Sequence, residues 1–343
     1  MPEGSAGWLA SWIAALFLLA FAGTWLARRY AMHRRLLDEP GDRRSHVLAT
    51  PRGGGIAIVV VMLLAIGYLA LDEPASRTLL GAIAGGLFLV GGVGWMDDHQ
   101  PQSPLTRLAV QALASLLLAW GIWSWSGSVP AALSAFAASM ILTNVWNFMD
   151  GIDGLAASQA LLVATGYGAI AFGSQAPVSY AVGGLALALA AACLGFLPFN
   201  FPRARIFLGD VGSGALGYLL AALLVWVGCL RQPIQAPVLL LPLSAFLIDA
   251  SLTLFGRMVG RQRWWLPHTE HAYQHWVRRL PRHSPVTLAY AAWTLGAIVL
   301  MLATSSRSVA FMMLSLGIAT LGGMSAWLAL RRPHRRTGRG DRE

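Results

Sequence analysis

The chain has 343 residues, of which 56% are hydrophobic and only 12% are charged. A water-soluble fold with a charged surface would not have this composition, which indicates a polytopic membrane protein. The sequence contains no lysine, so all 25 basic residues are arginine, and the formal net charge is +10. Any phosphate that a cationic side chain binds here is therefore bound by a guanidinium or an imidazolium.

Long uncharged runs recur along the chain, and a bilayer core requires roughly 20 apolar residues in a helix. The first run, from Trp8 to Ala27, is long enough to span. No basic segment precedes it, so we interpret it as a retained helix rather than a signal peptide. The runs predict an all-α membrane protein with about eleven transmembrane helices, at 8–27, 54–71, 78–96, 108–126, 130–149, 155–173, 178–199, 213–230, 234–256, 286–304 and 308–330.

Arginine is distributed unequally between the two sets of segments that these spans define. One set holds 22 arginines, and the other holds only Arg77, Arg231 and Arg307. Because basic residues concentrate on the cytoplasmic side, we expect the amino terminus outside and the carboxyl terminus in the cytoplasm. The expected cytoplasmic segments are the loops 28–52, 96–107, 149–154, 200–212 and 257–285 and the basic tail 331–343.

The first polar stretch whose residues could bind a ligand is SHVLATPRGGGIAIV, at 45–59. It places Arg52 beside three glycines at the start of a predicted helix, with His46 upstream. Exposed backbone N–H groups and a guanidinium both bind phosphate. The alternative is a tight turn that carries a cytoplasmic arginine and has no ligand.

Five of the 15 acidic residues lie at or near the expected cytoplasmic ends of spans, where an unpaired charge is costly. Any one of them could be a helix cap or a surface charge. Five on one face, beside glycine-rich turns, instead indicate a site for a hard cation such as Mg²⁺ and a diphosphate substrate. The five residues are Asp97, Asp98, Asp150, Asp153 and Asp210.

The stretch NVWNFMDGIDGL, at 144–155, places a polar residue at every third position: Asn144, Asn147, Asp150 and Asp153. On a straight α-helix each step of three residues drifts by about 60°, so one helix cannot direct all four at one ligand. Glycines at 151 and 154 allow the chain to turn as it leaves the membrane. We predict that this turn brings Asp153 back toward the face of Asp150.

Two later stretches complete the polar pattern. RIFLGDVGSGALG, at 205–217, is a glycine-rich turn before a span, and its N–H groups could hold phosphate while Asp210 meets a metal. Glycines that serve only helix packing are the alternative.

The segment WWLPHTEHAYQHW, at 264–276, would place His268, His271 and His275 on one face if helical. We favour donation to a diphosphate over a zinc site, since no HExxH pattern or cysteine accompanies them.

One further acidic residue, Asp249, lies well inside a predicted span. Arg257 follows at i+8 on roughly the same helix face. An internal structural pair between the two is the preferred interpretation.

Several of these stretches, TPRGGG, GWMDD, NVWNFMDGIDGL, FNFPRARIFLGDVGSGALG and HTEHAYQ, occur together in a known order and spacing. Over residues 38–276 the chain resembles the polyprenyl-phosphate N-acetylhexosamine-1-phosphate transferases. These integral membrane enzymes of the glycosyltransferase 4 type load a sugar phosphate onto a lipid carrier.

The resemblance implies roles for individual residues. Asp97 and Asp98 correspond to the catalytic pair, and Asp210 corresponds to the Asp that binds Mg²⁺, with Mn²⁺ as an alternative ion. Asn200 and Phe207 fall where the family holds uracil, Phe207 by stacking. The rest of the expected substrate-binding set comprises Asn147, Asp150, Asp153, His268, His271, His46 and Arg52.

Departures from the family pattern indicate the branch. The enzymes that transfer phospho-MurNAc-pentapeptide for peptidoglycan carry three contiguous histidines and a lysine before the glycine turn, whereas this chain has HTEHAYQ and no lysine. This favours the branch that initiates O-antigen, lipopolysaccharide or related surface glycans, with UDP-linked GlcNAc, FucNAc or QuiNAc-type sugars. Peptidoglycan synthesis is the alternative. A membrane transporter is a distant one, because transporters place ionisable residues near the bilayer midplane.

We therefore expect residues 1–330 to form a single transmembrane catalytic domain in the inner cell membrane, with its active site facing the cytoplasm. The expected partners are a UDP-N-acetylhexosamine, a polyprenyl (undecaprenyl) phosphate and the membrane. No nucleic acid is expected, and a homodimer is left open. The tail 331–343 is expected to lie near anionic lipid headgroups.

Overall fold

The computed structural model describes residues 5–39, 49–174, 176, 178–262, 269–305 and 307–331, without the side chains of 5, 6 and 8. These residues form α1 (Ser5–His33), α2 (Ile56–Asp72), α3 (Arg77–His99), α4 (Pro104–Ser126), α5 (Val129–Phe148), α6 (Leu155–Phe172), α7 (Ser179–Asn200), α8 (Gly209–Cys229), α9 (Ser244–Val259), α10 (Ala272–Val277), α11 (Ser284–Thr304) and α12 (Val309–Arg331). Two 3₁₀ segments, Pro74–Ser76 and Pro233–Leu243, precede α3 and α9. The strands β1 (Leu37–Asp38) and β2 (Thr50–Pro51) pair antiparallel, with Leu37 opposite Pro51.

Within the described residues, ten helical segments are long and apolar enough to cross a membrane. They are Leu9–His33, Pro74–His99, Pro104–Ser126, Val129–Phe148, Leu155–Phe172, Ser179–Asn200, Gly209–Cys229, Pro233–Val259, Ser284–Thr304 and Val309–Arg331. The eleventh predicted span, 54–71, corresponds to α2, an apolar helix of 17 residues. At 1.5 Å per residue it is about 25 Å long, the short end of the range for a bilayer core. The predicted all-α polytopic class is confirmed.

Helix α8 lies at the centre of the bundle, where α3, α5 and α6 pack against it. Small residues allow these backbones to approach closely. A Cβ atom on Gly94 of α3 would lie 2.5 Å from the Asp210 carbonyl oxygen, and one on Gly217 would lie 2.2 Å from the Leu142 carbonyl oxygen of α5. Glycine at these positions therefore sets how near α3 and α5 come to the start of α8.

The loops predicted to share one face meet at one end of the bundle. The Gly54 N–H donates to the Phe207 carbonyl, and the Gly154 N–H donates to the side chain of Asn200. The Thr287 hydroxyl donates to the Asp153 carbonyl at 2.8 Å. The segments around 50, 150, 205 and 285 are thus tied directly to one another, although they are distant in sequence.

Candidate active site

A pocket of about 240 Å³ opens where these loops meet. Most of its lining residues are polar, and they come from loops and helix ends that converge from across the sequence. The lining residues are Asp38, Arg52, Asp98, Asn147, Asp150, Gly151, Ile152, Asn200, Phe207, Gly209, Asp210, Ser213 and Gln274.

Asp98, at the end of α3, caps the central helix α8. Its carboxylate is 3% exposed and accepts the N–H groups of Asp210 at 3.1 Å and Val211 at 3.2 Å. These N–H groups belong to the first turn of α8, where no intrahelical acceptor is available. Gly209 has φ +76°, and a Cβ atom there would lie 2.4 Å from Asp98 Oδ2, so both conformation and space require glycine.

Arg107, in the first turn of α4, bridges two carboxylates. Its Nη1 lies 3.1 Å from Asp97 Oδ2 and 3.3 Å from Asp210 Oδ2. Asp97 also accepts the Gln102 N–H at 2.6 Å and is tied to the pocket through this bridge rather than by lining it. The sequence analysis missed Arg107, although it is the single arginine of the predicted loop 96–107 and follows the Asp pair closely.

Asn147 ties α5 to α8. Its Nδ2 donates to Asp210 Oδ1 at 2.7 Å and to Ser213 Oγ at 3.1 Å. Asp150, three residues later, is partly buried in the pocket. Burial, together with the negative charges of Asp210 and Asp98, raises the pKa of Asp150 to about 8.

The predicted turn after α5 is present, but it acts differently from the prediction. The helix ends at Phe148 and α6 begins at Leu155. Gly154 adopts φ +74°, whereas Gly151 has no such conformation and is required for space, since its Cβ atom would lie 2.1 Å from Tyr273 Oη.

Two of the four polar residues in this stretch lie away from the pocket. His283 Nδ1 lies 3.1 Å from Asp153 Oδ2, so Asp153 faces α11, and the prediction that the turn returns it to the face of Asp150 was wrong. The Asn144 side chain donates to Gln111 Oε1 at 3.0 Å and joins α5 to α4. Of these four polar residues, Asn147 and Asp150 line the pocket.

Asn200 and Phe207 lie on the pocket wall in different ways. The Asn200 side chain accepts the Gly154 N–H and donates to the Ile206 carbonyl, both at 2.9 Å, so it holds two loops together. Phe207 is held by its backbone, since its N–H donates to the Pro51 carbonyl at 2.8 Å. This pairing brings the segment that carries Arg52 beside Phe207.

The histidine segment is only partly within the described residues. His46 and His268 lie outside them. His271 precedes α10, is 3% exposed and does not line the pocket. The predicted helix face shared with His275 was wrong, because the helix begins at Ala272. Gln274, which sequence reasoning did not single out, lines the pocket instead.

The predicted pair between Asp249 and Arg257 was also wrong. Asp249 accepts the N–H groups of Ala272 and Tyr273, and Arg257 pairs with Glu270. Positions i and i+8 lie about 12 Å apart along a helix axis. The chain that crosses this helix offers nearer partners to both side chains, and sequence spacing alone does not show that crossing.

The pocket presents the hard oxygen donors that Mg²⁺ prefers, on Asp98, Asp150 and Asp210, with the Asn147 amide and the Ser213 hydroxyl alongside. In the part of the chain that the structure describes, no cluster of three or more His, Cys, Asp or Glu residues could hold a metal by itself. Mg²⁺ commonly binds through one or two carboxylates plus substrate phosphates. The donor set fits that mode of binding.

Comparison with known proteins places this arrangement in a family. Residues 79–228 match the model of glycosyl transferase family 4. The chain is 33% identical over 232 residues to the decaprenyl-phosphate N-acetylglucosaminephosphotransferase of Mycobacterium tuberculosis, over 60% of this chain and 57% of that relative. The chain thus spans less than three fifths of that relative's length.

Two further relatives are covered more fully. A probable undecaprenyl-phosphate N-acetylglucosaminyl 1-phosphate transferase of Bacillus subtilis is 28% identical over 263 residues, 72% of this chain and 71% of the relative. The phospho-N-acetylmuramoyl-pentapeptide-transferase of Heliobacterium modesticaldum is 30% identical over 275 residues, 70% of this chain and 81% of the relative. The family resemblance seen in the sequence is confirmed, and the chain belongs to glycosyl transferase family 4.

Proposed function

We propose that this protein transfers an N-acetylhexosamine 1-phosphate from a UDP-sugar to a polyprenyl phosphate and releases UMP. The observation that carries the proposal is the pocket at one end of the bundle, where carboxylates, Arg52 and Phe207 converge. At the end of a membrane-spanning bundle, a water-soluble nucleotide sugar and a membrane-embedded lipid phosphate can reach the same point. The names of the decaprenyl-phosphate and undecaprenyl-phosphate relatives support the acceptor class.

The reaction is phosphoryl transfer. An oxygen of the lipid phosphate attacks the phosphorus nearer the sugar, and the bond from that phosphorus to the bridging oxygen breaks. UMP leaves with the electron pair of that bond. Positioning and stabilisation of charge supply most of the acceleration in such reactions.

Different residues of the chain position the substrates and stabilise the charge. Arg107, held between Asp97 and Asp210, places a fixed positive charge beside the diphosphate. Phe207 stacks on uracil, with Asn200 shaping the wall behind it. Asp210 would hold Mg²⁺, or Mn²⁺ as the alternative, with its carboxylate oriented by Asn147, whose amide also donates to the Ser213 hydroxyl. When bound, the ion supplies positive charge that offsets the negative charge developing on the diphosphate.

Asp97 is the proposed base. The second pKa of a phosphomonoester is near 6 in water, and a carboxylate cluster at a bilayer interface raises it, so the acceptor benefits from a neighbouring base. The alternative is a covalent aspartyl-phosphate intermediate. Exchange of labelled UMP into the UDP-sugar without lipid acceptor distinguishes the two routes. Exchange supports the intermediate, and its absence supports direct attack.

The proposed setting is the inner membrane, with the pocket facing the cytoplasm and the product entering O-antigen, lipopolysaccharide or related surface-glycan synthesis. A second candidate donor is UDP-MurNAc-pentapeptide. It is favoured by the match to the Heliobacterium relative, which covers 81% of that protein. The absence of lysine and of contiguous histidines favours the smaller UDP-N-acetylhexosamines.

The test is to incubate purified protein with polyprenyl phosphate, Mg²⁺ and each of a panel of UDP-sugars, and to measure the mass of the lipid product. We expect a polyprenyl diphosphate that carries one N-acetylhexosamine, and no such product from Asp210→Asn. A pentapeptide-bearing product would establish the second candidate. Substrate that crosses sealed vesicles without any lipid product would overturn the transferase proposal.

A further inference from the structure

Asp249 lies inside the span Pro233–Val259 and is 3% exposed, yet the proposed reaction gives it no part. A carboxylate buried in a membrane span is costly unless donors surround it. Most of the donors come from other elements, although the Thr253 hydroxyl of the same helix also donates to Oδ1 at 3.3 Å, and His271 Nδ1 lies 3.6 Å from that oxygen. The N–H groups of Ala272 and Tyr273 lie 2.8 and 3.2 Å from its oxygens, and the Tyr290 hydroxyl of α11 lies 2.8 Å from Oδ2.

The two N–H donors belong to the first two residues of α10. The first N–H groups of a helix have no acceptor within the helix, so Asp249 caps α10 from the neighbouring α9. A second tie joins the same elements, since Arg257 of α9 pairs with Glu270 just before α10. These two ties hold the start of α10 against α9.

Helix α10 in turn supports the pocket. Gln274 lines it. The Tyr273 side chain is fully buried, and its hydroxyl donates to the Phe148 carbonyl at 3.1 Å. The same hydroxyl fills the space that a Cβ atom on Gly151 would need. Tyr273 therefore packs directly against the turn that carries Asp150.

We propose that Asp249 is a positioning residue for the transfer: by capping α10 it fixes Tyr273 and Gln274, and through Tyr273 it sets the turn that carries Asp150. This inference rests on the proposed function for its catalytic meaning, and Asp249 itself does not touch substrate. In Asp249→Asn, an amide NH₂ group would face backbone N–H groups that need an acceptor. At least one buried N–H group would lose its partner.

The first test needs no substrate. Hydrogen exchange of the purified protein, measured by mass spectrometry, should become faster in both 269–277 and 149–154 in Asp249→Asn. Tyr290→Phe removes one donor to the carboxylate and keeps the ring, so we expect a smaller change in the same segments. The control is Thr304→Val, a buried change at the far end of α11, which should leave both segments unchanged.

Unchanged exchange in 149–154, or a uniform increase along the chain, would overturn the inference. If Asp249→Asn does not fold, Tyr290→Phe decides the same question. Hydrogen exchange does not depend on turnover, so its result stands even if none of the UDP-sugars is transferred. The absence of transfer would overturn the proposed function but not the capping of α10 by Asp249.

The second test is a double-mutant cycle. We expect Asp249→Asn to lower kcat/KM for the UDP-sugar by roughly 10- to 100-fold, the size of effect that misplaced groups produce. If Asp249 acts through Tyr273, then adding Tyr273→Phe should cost less in the Asp249→Asn background than in the native chain. Fully additive losses would show that Asp249 acts elsewhere and would overturn the proposed route.

Discussion

Arg107 is the residue whose position says most about the chemistry of the pocket. One guanidinium nitrogen lies within 3.3 Å of carboxylate oxygens from two different helices, Asp97 of α3 and Asp210 of α8. The three groups form a charge-assisted network in which the arginine keeps two negative side chains close together. In the proposed transfer, the same cation would meet the charge that develops on the diphosphate.

Arg107→Ala should lower kcat by about 10²- to 10³-fold, the usual cost of losing one charge-stabilising donor. Arg107→Lys should recover part of the activity, because lysine supplies a point charge but not the planar guanidinium. Initial rates of lipid product formation measure both. Arg77→Ala is the matched control, since Arg77 lies at the opposite end of α3 and bonds a backbone carbonyl there. Equal losses in the Arg77 and Arg107 variants would contradict a specific role.

Gly151 is required for space rather than for an unusual backbone conformation. A Cβ atom would lie 2.1 Å from Tyr273 Oη and 3.0 Å from Cζ. We expect Gly151→Val to abolish transfer as thoroughly as Asp150→Asn, because the turn must move. Gly151→Ala should also impair it, and Tyr273→Phe should restore part of that loss by removing the hydroxyl. Transfer rates of the two single variants and the double variant measure this. A fully active Gly151→Val enzyme would refute the packing argument.

Where helices α3 and α8 meet, the neighbouring carboxylates Asp97 and Asp98 have different partners. Asp98 caps the first turn of α8, whereas Asp97 faces Arg107. Asp98→Asn should therefore lower the free energy of unfolding by about 1.5 to 3 kcal/mol, the range for hydrogen bonds to charged groups, and lower transfer as Asp210 moves. Asp97→Asn should lower transfer with little change in stability. Thermal unfolding in detergent, beside transfer rates, measures both. Equal stability of the two variants would contradict this division.

How much of the site could be predicted from the sequence depends on the distance between partners along the chain. The helix end at Phe148 could be predicted because glycines and polar residues follow an apolar run. The partners of Asp153 and Asp249 could not be predicted, because His283, which precedes α11, and Tyr290, within α11, are far along the sequence. Local spacing predicts which face of a helix a residue occupies. It does not predict which other helix packs there.

At the scale of the whole molecule, successive spans bring alternate ends to the pocket. The carboxyl end of α3 supplies Asp98, the amino end of α4 supplies Arg107, and the carboxyl end of α5 supplies Asn147. Consecutive helices that each cross the membrane run in opposite directions, and this produces the alternation. It also explains why the described parts of the five predicted loops meet at one end even though the residues between the loops are almost entirely apolar.

The arginine distribution predicts which side of the membrane the pocket end faces: 22 of 25 arginines belong to the segments expected to be cytoplasmic, so we expect the pocket to face the cytoplasm. In a chain with Cys193 and Cys229 replaced by alanine, an impermeant maleimide should label Ser308→Cys in intact cells. Arg203→Cys, at the pocket end, should be labelled only after lysis. Both positions are exposed, so differences in labelling report sidedness rather than burial. The reverse pattern would place the pocket outside, away from nucleotide sugars made in the cytoplasm, and the proposed transfer could not proceed as described.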